Sequence, residues 1–292
     1  MRDFEYIAPT TLEEALAALA RHDGEAKLLA GGTDILGQMK KGVISPKFVI
    51  SLGQIPGLEG IGGNEEGGVT IGACTSLEAV ANSPLVGEQY GLLATAAGQV
   101  GGVQVRNRGT IGGNLCNASP AADTVPPLLV LGATLSIASV RGERTVPLSG
   151  FFIGPNRTVL EGDEVLKAIR LLKVCASSGG AFLKLGKRRA MDISIACAAA
   201  YLTVEEGSAI VREVRVALGS VAPTPMLVDE VGDAMRGREF GPTVLEEAGR
   251  VAAAKAQPIS DIRASAEYRR EMVGVLVRRV LAQAGDRAME AR

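Results

Sequence analysis

Two glycine turns constrain what this chain can fold into. In the first, Ala30-Gly31-Gly32-Thr33-Asp34 follows the apolar run AKLL and precedes DILGQMKK, which reads as a short helix. Glycine lets backbone N–H groups approach an anion closely, a threonine adds a hydroxyl, and the helix start points its dipole the same way. A Gly-Gly step between strand and helix also serves simply as a turn, so both readings stay open locally. Two common nucleotide loops are excluded. Gly32-x4-Gly37 is followed by Gln38-Met39 rather than Lys-Ser/Thr, and no G-x-G-x-x-G opens a helix after a strand.

The second turn lies in RNRGTIGGNLCNASPAADTVPPLLVLGA, residues 106–133. Gly109, Gly112 and Gly113 free the backbone, while Thr110, Asn114, Asn117 and Ser119 supply polar side chains. Asp123 opens an apolar helix that contains Pro126-Pro127. Ordering so long a Gly/Asn/Ser/Thr stretch costs considerable entropy, which is recovered when the chain wraps a ligand. Two separate cradles point to a diphosphate with polar groups on either side.

Composition removes other chemistries. His22 is the only histidine, so Ser-His-Asp hydrolysis and His-ligated metals are excluded. Cys74, Cys116, Cys175 and Cys197 are scattered without close pairs, which reads as free thiols rather than a metal or iron–sulfur site. With 31 basic and 32 acidic residues, nothing favours a nucleic-acid partner. The N-terminus lacks the pattern of a secretory signal and no apolar run reaches the ~20 residues of a membrane span, so a cytoplasmic protein is expected.

The periodicities predict an α+β chain. TTLEEALAALAR (10–21) reads as a helix capped by Thr10 or Thr11, and AKLLAGG and KFVISL flank the first turn as strands. From 56 to 175, Gly-rich turns separate the strands GVTIGA, ATLSIAS, RTVPL and EVLKAIRL from helices near 76–82, 88–99 and 121–131. Antiparallel pairing is the natural reading of this mixture. After Ser177-Ser178-Gly179-Gly180 come the strand pattern of 209–221 and helices near 242–255 and 265–284. Three units are expected, over 1–55, 56–175 and 176–292.

Four blocks in order make the reading specific: AGGTDILGQMK, VRNRGTIGGNLCNASPAADTVPPLLVLGA, FLKLGKRRAMDISIACAAAYL (182–202) and DIRASAEYRREMVGVLVRRVL (261–281). Together they resemble the FAD-binding subunit of the molybdenum hydroxylases, the xanthine dehydrogenase and carbon monoxide dehydrogenase family. The resemblance implies a two-subdomain PCMH-type FAD-binding domain followed by a C-terminal α+β domain, a small antiparallel sheet with helices. It implies a pyrophosphate held through the backbone of Leu29, Ala30, Gly31, Gly32, Thr33, Asp34, Ile35 and Leu36. It makes Thr110, Ile111, Gly112, Gly113 and Asn114 the second cradle, and adds Gly101, Asp123, Leu166 and Lys184 as cofactor-binding positions, with Thr75 near the same cleft.

The residues themselves allow other roles. Asp123 would serve equally as a helix-start acid, and Lys184 as a snorkelling lysine. Arg188, Arg189 and Asp192 read as a structural ion network, and Arg106 and Arg108 suit either phosphates or a partner chain. Thr33-Asp34 departs from the Ala-Gly-Gly-His-Ser turn typical of carbon monoxide dehydrogenases and is similar to the xanthine, nicotinate and hydroxybenzoyl-CoA branches. The clustered cysteines of the hydroxybenzoyl-CoA branch are missing.

By resemblance the chain is an oxidoreductase subunit. It would take electrons that pass from a molybdopterin large subunit through the [2Fe–2S] clusters of an iron–sulfur small subunit, and deliver them to NAD or another acceptor. An autonomous flavoenzyme acting directly on a small substrate is the alternative, and a flavin-free scaffold is a third.

Overall fold

The computed structural model describes residues 1–188 and 190–291. Strands β1 (Glu5–Ile7), β2 (Ala26–Leu29) and β3 (Phe48–Ser51) form a parallel sheet in the order β1–β3–β2, connected by helices α1 (Leu12–Arg21) and α2 (Ile35–Lys40). Thr11 caps α1 in a capping box with Glu14, as the sequence predicts, and Ala15, Leu16 and Leu19 are its buried face. The first glycine turn is the β2–α2 connection, so the strand-to-helix reading is correct.

A hairpin of β4 (Ile61–Gly63) and β5 (Val69–Gly72) then leads into a run of short helices. These are α3 (Leu77–Asn82), α4 (Pro84–Gln89), α5 (Gly91–Gly98), α6 (Val103–Arg106), α7 (Ile111–Cys116) and α8 (Val125–Val130). Strands β6 (Thr134–Ser139), β7 (Gly142–Pro147) and β10 (Val165–Leu171) join the hairpin in an antiparallel sheet, β4–β5–β10–β6–β7, while β8 (Phe152–Gly154) and β9 (Arg157–Thr158) form a separate ribbon.

The C-terminal part is the antiparallel sheet β11 (Ser178–Leu185), β12 (Ala196–Val204), β13 (Val211–Gly219) and β14 (Met226–Leu227), with helices α9 (Asp229–Met235), α10 (Pro242–Lys255) and α11 (Ala266–Glu290). Every residue of β12 is buried, and the two-residue period of a strand divides them between two cores. Ala196, Ala198, Ala200 and Leu202 pack with α10 and α11, whereas Cys197, Ala199 and Tyr201 face the short-helix layer of the preceding unit. Lys184 is the cross-strand partner of Cys197 and lies on that second face, so the strand period itself turns it toward the short helices.

Three local readings change. The helix expected over 88–99 is broken at Tyr90, whose backbone leaves the helical region (φ −132°, ψ 44°) while its buried hydroxyl donates to the Leu172 carbonyl at 2.8 Å. The Pro126-Pro127 pair begins α8 rather than interrupting a helix from 121. Asp123 therefore lies just outside α8, with Thr124 at the cap position.

Candidate functional site

Gly31 brings the two glycine turns together. A Cβ placed on it would lie 1.8 Å from the Arg108 carbonyl oxygen and 2.9 Å from the Gly109 Cα, so only glycine permits this contact. On the other side, the space a Cβ would take on Gly109 is 3.3 Å from the Thr33 hydroxyl. Turns separated by some seventy-five residues of sequence, one in the parallel sheet and one in the short-helix layer, thus form one continuous surface.

Their hydrogen bonding differs. Among the described residues, the backbone N–H groups of Gly31, Gly32, Thr33 and Asp34 donate to no protein acceptor. Gly32 sits at φ +77°, which lets the chain fold back on itself at the end of β2. Asp34 makes no side-chain cap, and α2 is only six residues long. The anion-holding capacity here therefore belongs to the row of free amides rather than to a helix dipole.

In the second turn the amides are already engaged. Ile111 N–H donates to Thr75 O, Gly112 N–H to Ala73 O, Gly113 N–H to the Thr110 hydroxyl and Asn114 N–H to Thr110 O. Gly112 is glycine because a Cβ would come within 2.6 Å of Ala73. This turn is a rigid wall rather than a second set of free donors. What it presents is Gly113, which is exposed, and Asn114, whose side-chain oxygen accepts from Thr124 at 2.6 Å.

Asp123 and Lys184 meet, a pairing that no local pattern in the sequence marks. Lys184 Nζ lies 2.6 Å from Asp123 Oδ2 and donates to the Gln99 carbonyl at 3.1 Å, while the Ser194 hydroxyl donates to Asp123 Oδ1. Asp123 is only 5% exposed and Ser194 1%. Burial pushes the Asp123 carboxyl above its ordinary value, and the Lys184 ammonium and Ser194 hydroxyl oppose that shift. Lys184 is buried against Asp123 rather than snorkelling at the surface, and Asp123 lies one residue before the Thr124 cap of α8.

The Gln99 anchor leads to Gly101, which is held at φ +53° and accepts a hydrogen bond from Met191 N–H at 3.2 Å. The amides of Gly101, Gly102 and Val103 donate to no acceptor among the described residues. Met191, itself in the left-handed region at φ +53°, closes the loop after β11 over Gly102.

Most of the other predicted residues are held by contacts within the protein. Leu166 is buried in the core beside a bulge of β10. Thr75 is buried and clamps Gly60, accepting from its N–H at 2.9 Å and donating to its carbonyl at 3.0 Å. Arg106 pairs with Glu78 at 2.7 Å, which leaves Arg108 as the exposed cation of that stretch. Arg188 pairs with Asp192 at 3.7 Å; Arg189, its expected companion, lies outside the described residues. No group of His, Cys, Asp and Glu suited to a metal occurs among the described residues. A surface cavity of about 370 Å³ lined by Leu129, Arg215, Asp229 and Arg236 contains none of the predicted site residues.

A family model described as the FAD binding domain in molybdopterin dehydrogenase matches residues 2–171, more than half of the chain. The chain belongs to this flavoprotein family. A second model, the CO dehydrogenase flavoprotein C-terminal domain, matches residues 181–284. The carbon monoxide dehydrogenase medium chain of Hydrogenophaga pseudoflava is 37% identical, over 95% of this chain and 96% of that one. A putative xanthine dehydrogenase FAD-binding subunit of Escherichia coli K12 is 34% identical over 97% of both chains. The solved structure of the Hydrogenophaga carbon monoxide dehydrogenase superposes with a TM-score of 0.94, at 36% identity and 98% coverage of both chains.

The cofactor of the flavoprotein family is FAD, and this chain's donor set suits it: consecutive unpaired amides are the chemistry that holds a diphosphate. No helix among the described residues is long and apolar enough to cross a membrane. Ser194 and the Gln99 carbonyl escaped the sequence reading. A serine and a glutamine leave no local signature of a buried ion pair, whose members are 61 residues apart.

Proposed function

We propose that this chain is the FAD-carrying, electron-transferring medium subunit of a heteromeric molybdenum hydroxylase. Its partners are an iron–sulfur small subunit and a molybdopterin large subunit, and its units run over 1–55, 56–175 and 176–292. The observation that carries the reading is the contact of two glycine turns, one from the parallel sheet and one from the short-helix layer, with four consecutive free amides on the first and a rigid wall on the second. The amides of Gly31–Asp34 hold the pyrophosphate, with Leu29, Ala30, Ile35 and Leu36 shaping that turn. Thr110–Asn114 and Gly101 border the remainder of the cofactor, and Asp123, Lys184 and Leu166 support its flavin end.

When bound, FAD supplies the redox chemistry, receiving electrons from the partner's [2Fe–2S] clusters and passing them to NAD or another acceptor. The chain's own residues bind, orient and shield it. The single histidine and the dispersed cysteines support this division of labour, since among the described residues no group of His, Cys, Asp and Glu is arranged to hold a metal.

The test is anaerobic bleaching of the FAD-loaded chain, with purines, N-heterocycles and aldehydes in one series and NADH in the other. The flavin is expected to stay oxidised with every organic substrate until the two partner subunits are added. Rapid bleaching of the isolated chain by one of these substrates would replace the subunit reading with an autonomous flavoenzyme. Bleaching by NADH is the result expected for a nicotinamide acceptor; its absence overturns that acceptor alone.

A further inference from the structure

Side chains from two other segments converge on the Asp123 carboxylate, and one of them ties it to a third. Lys184 from β11 occupies Oδ2 at 2.6 Å, Ser194 from the loop before β12 occupies Oδ1, and Lys184 carries the connection to the Gln99 carbonyl at the end of α5. Ser194 is itself held from behind. Its neighbour Ile195 gives its carbonyl to the Arg269 guanidinium on the first turn of α11, and Arg269 also binds Ser220 O at 3.1 Å and Asp261 at 2.7 Å. Arg269 is only 3% exposed, so this anchor is internal. A rigid path of polar contacts thus runs from the C-terminal helix, through Ser194 and Asp123, to the Gln99–Gly102 turn with its free amides.

We infer that Ser194 is a positioning residue for the cofactor site, fixing the Asp123 carboxylate and thereby the turn at Gly101; the inference rests on the cofactor placement proposed above. A buried carboxylate needs partners for both oxygens. Lys184 alone satisfies one of them, and the carboxylate would then be free to rotate and drag Lys184 away from Gln99. Ser194 supplies the second point that fixes the plane of the group. The charged group acting on Asp123 is Lys184; the buried Cys197 thiol nearby is pushed far up by burial and, further, by Asp123 itself. Among the described residues, Lys184 and Ser194 are the groups that oppose protonation of Asp123, and of the two the serine hydroxyl can be removed without changing the charge.

The test uses the full chain and FAD as the probe, titrated by flavin fluorescence from pH 5 to 8, with the thermal midpoint of the FAD-free protein measured alongside. Ser194→Ala is expected to weaken FAD about tenfold, the effect of leaving one buried acceptor unpaired. Its loss of affinity on acidification should begin at higher pH than in the unsubstituted chain, because removing the hydroxyl lets burial raise the Asp123 carboxyl further. Ser194→Thr, which keeps the hydroxyl, should restore both. A purely structural serine would lower the thermal midpoint and leave the affinity and its pH profile where they were. Unchanged affinity and profile in Ser194→Ala, or no rescue by threonine, overturns the inference. Gly32→Val separates the two levels. If it abolishes FAD binding while Ser194→Ala does not, only the role of Ser194 has failed; if neither variant affects FAD, the cofactor placement has failed with it.

Discussion

Gly32 and Gly113 look interchangeable in the sequence, each the second member of a Gly-Gly pair in a polar turn. The structure separates them. Gly32 adopts φ +77° and its amide is one of four consecutive unpaired ones, whereas the Gly113 amide is already bound to Thr110, and a Cβ there would lie 2.9 Å from the Thr110 hydroxyl. Valine at Gly32 is expected to strain the turn by about 1–3 kcal/mol and to misdirect its amides, weakening FAD roughly five- to hundredfold. Spectroscopic titration of the variant checks this, with circular dichroism to establish that it remains folded. Wild-type affinity in a folded Gly32→Val protein would contradict the role given to the turn. Valine at Gly113 acts first on the α7 cap, so its effect is on folding.

At the scale of elements, periodicity and capping were legible and tertiary compensation was not. The Thr11–Glu14 box and the apolar face of α1 are local patterns, and they appear where the sequence puts them. The break at Tyr90 depends on a hydrogen bond to a residue far along the chain, and β12 (ACAAAYLTV) is rich in alanine, which favours helix in isolation. Small side chains are tolerated in that strand because helices cover both of its faces.

The start of α11 carries a pH-dependent prediction. Although burial works against it, the Arg263 amide and the Arg269 and Arg263 guanidiniums hold the Asp261 carboxyl well below the usual carboxylate range. A depressed value means that the stabilisation is fully present above the ordinary aspartate pKa of about 4 and is lost as the pH falls below it. Asp261→Asn should therefore lower the thermal midpoint at pH 7 and narrow its difference from the unsubstituted protein as the pH drops below about 4. Thermal unfolding at a series of pH values checks this; equal midpoints at pH 7 would show that the pair does not hold the helix.

At the scale of the whole molecule, the proposed site draws on a parallel sheet, a short-helix layer and a C-terminal sheet. The glycine turns were visible in the sequence from their residues, and the FAD cofactor from the family resemblance. Their mutual contact was not, because it depends on the absence of a side chain at Gly31 opposite a backbone carbonyl at Arg108. Nor was the unequal state of their amides, since hydrogen bonds from Ile111 and Gly112 to Thr75 and Ala73 follow only from the tertiary fold. That inequality provides the most direct test. Residue-resolved hydrogen exchange on the whole chain, without and with saturating FAD, should find the amides of 111–114 protected in both states. Those of Gly31–Asp34 should exchange quickly without FAD and become protected when it binds. Saturation with FAD that leaves 31–34 exchanging as fast as before would contradict the claim that this turn holds the cofactor's diphosphate.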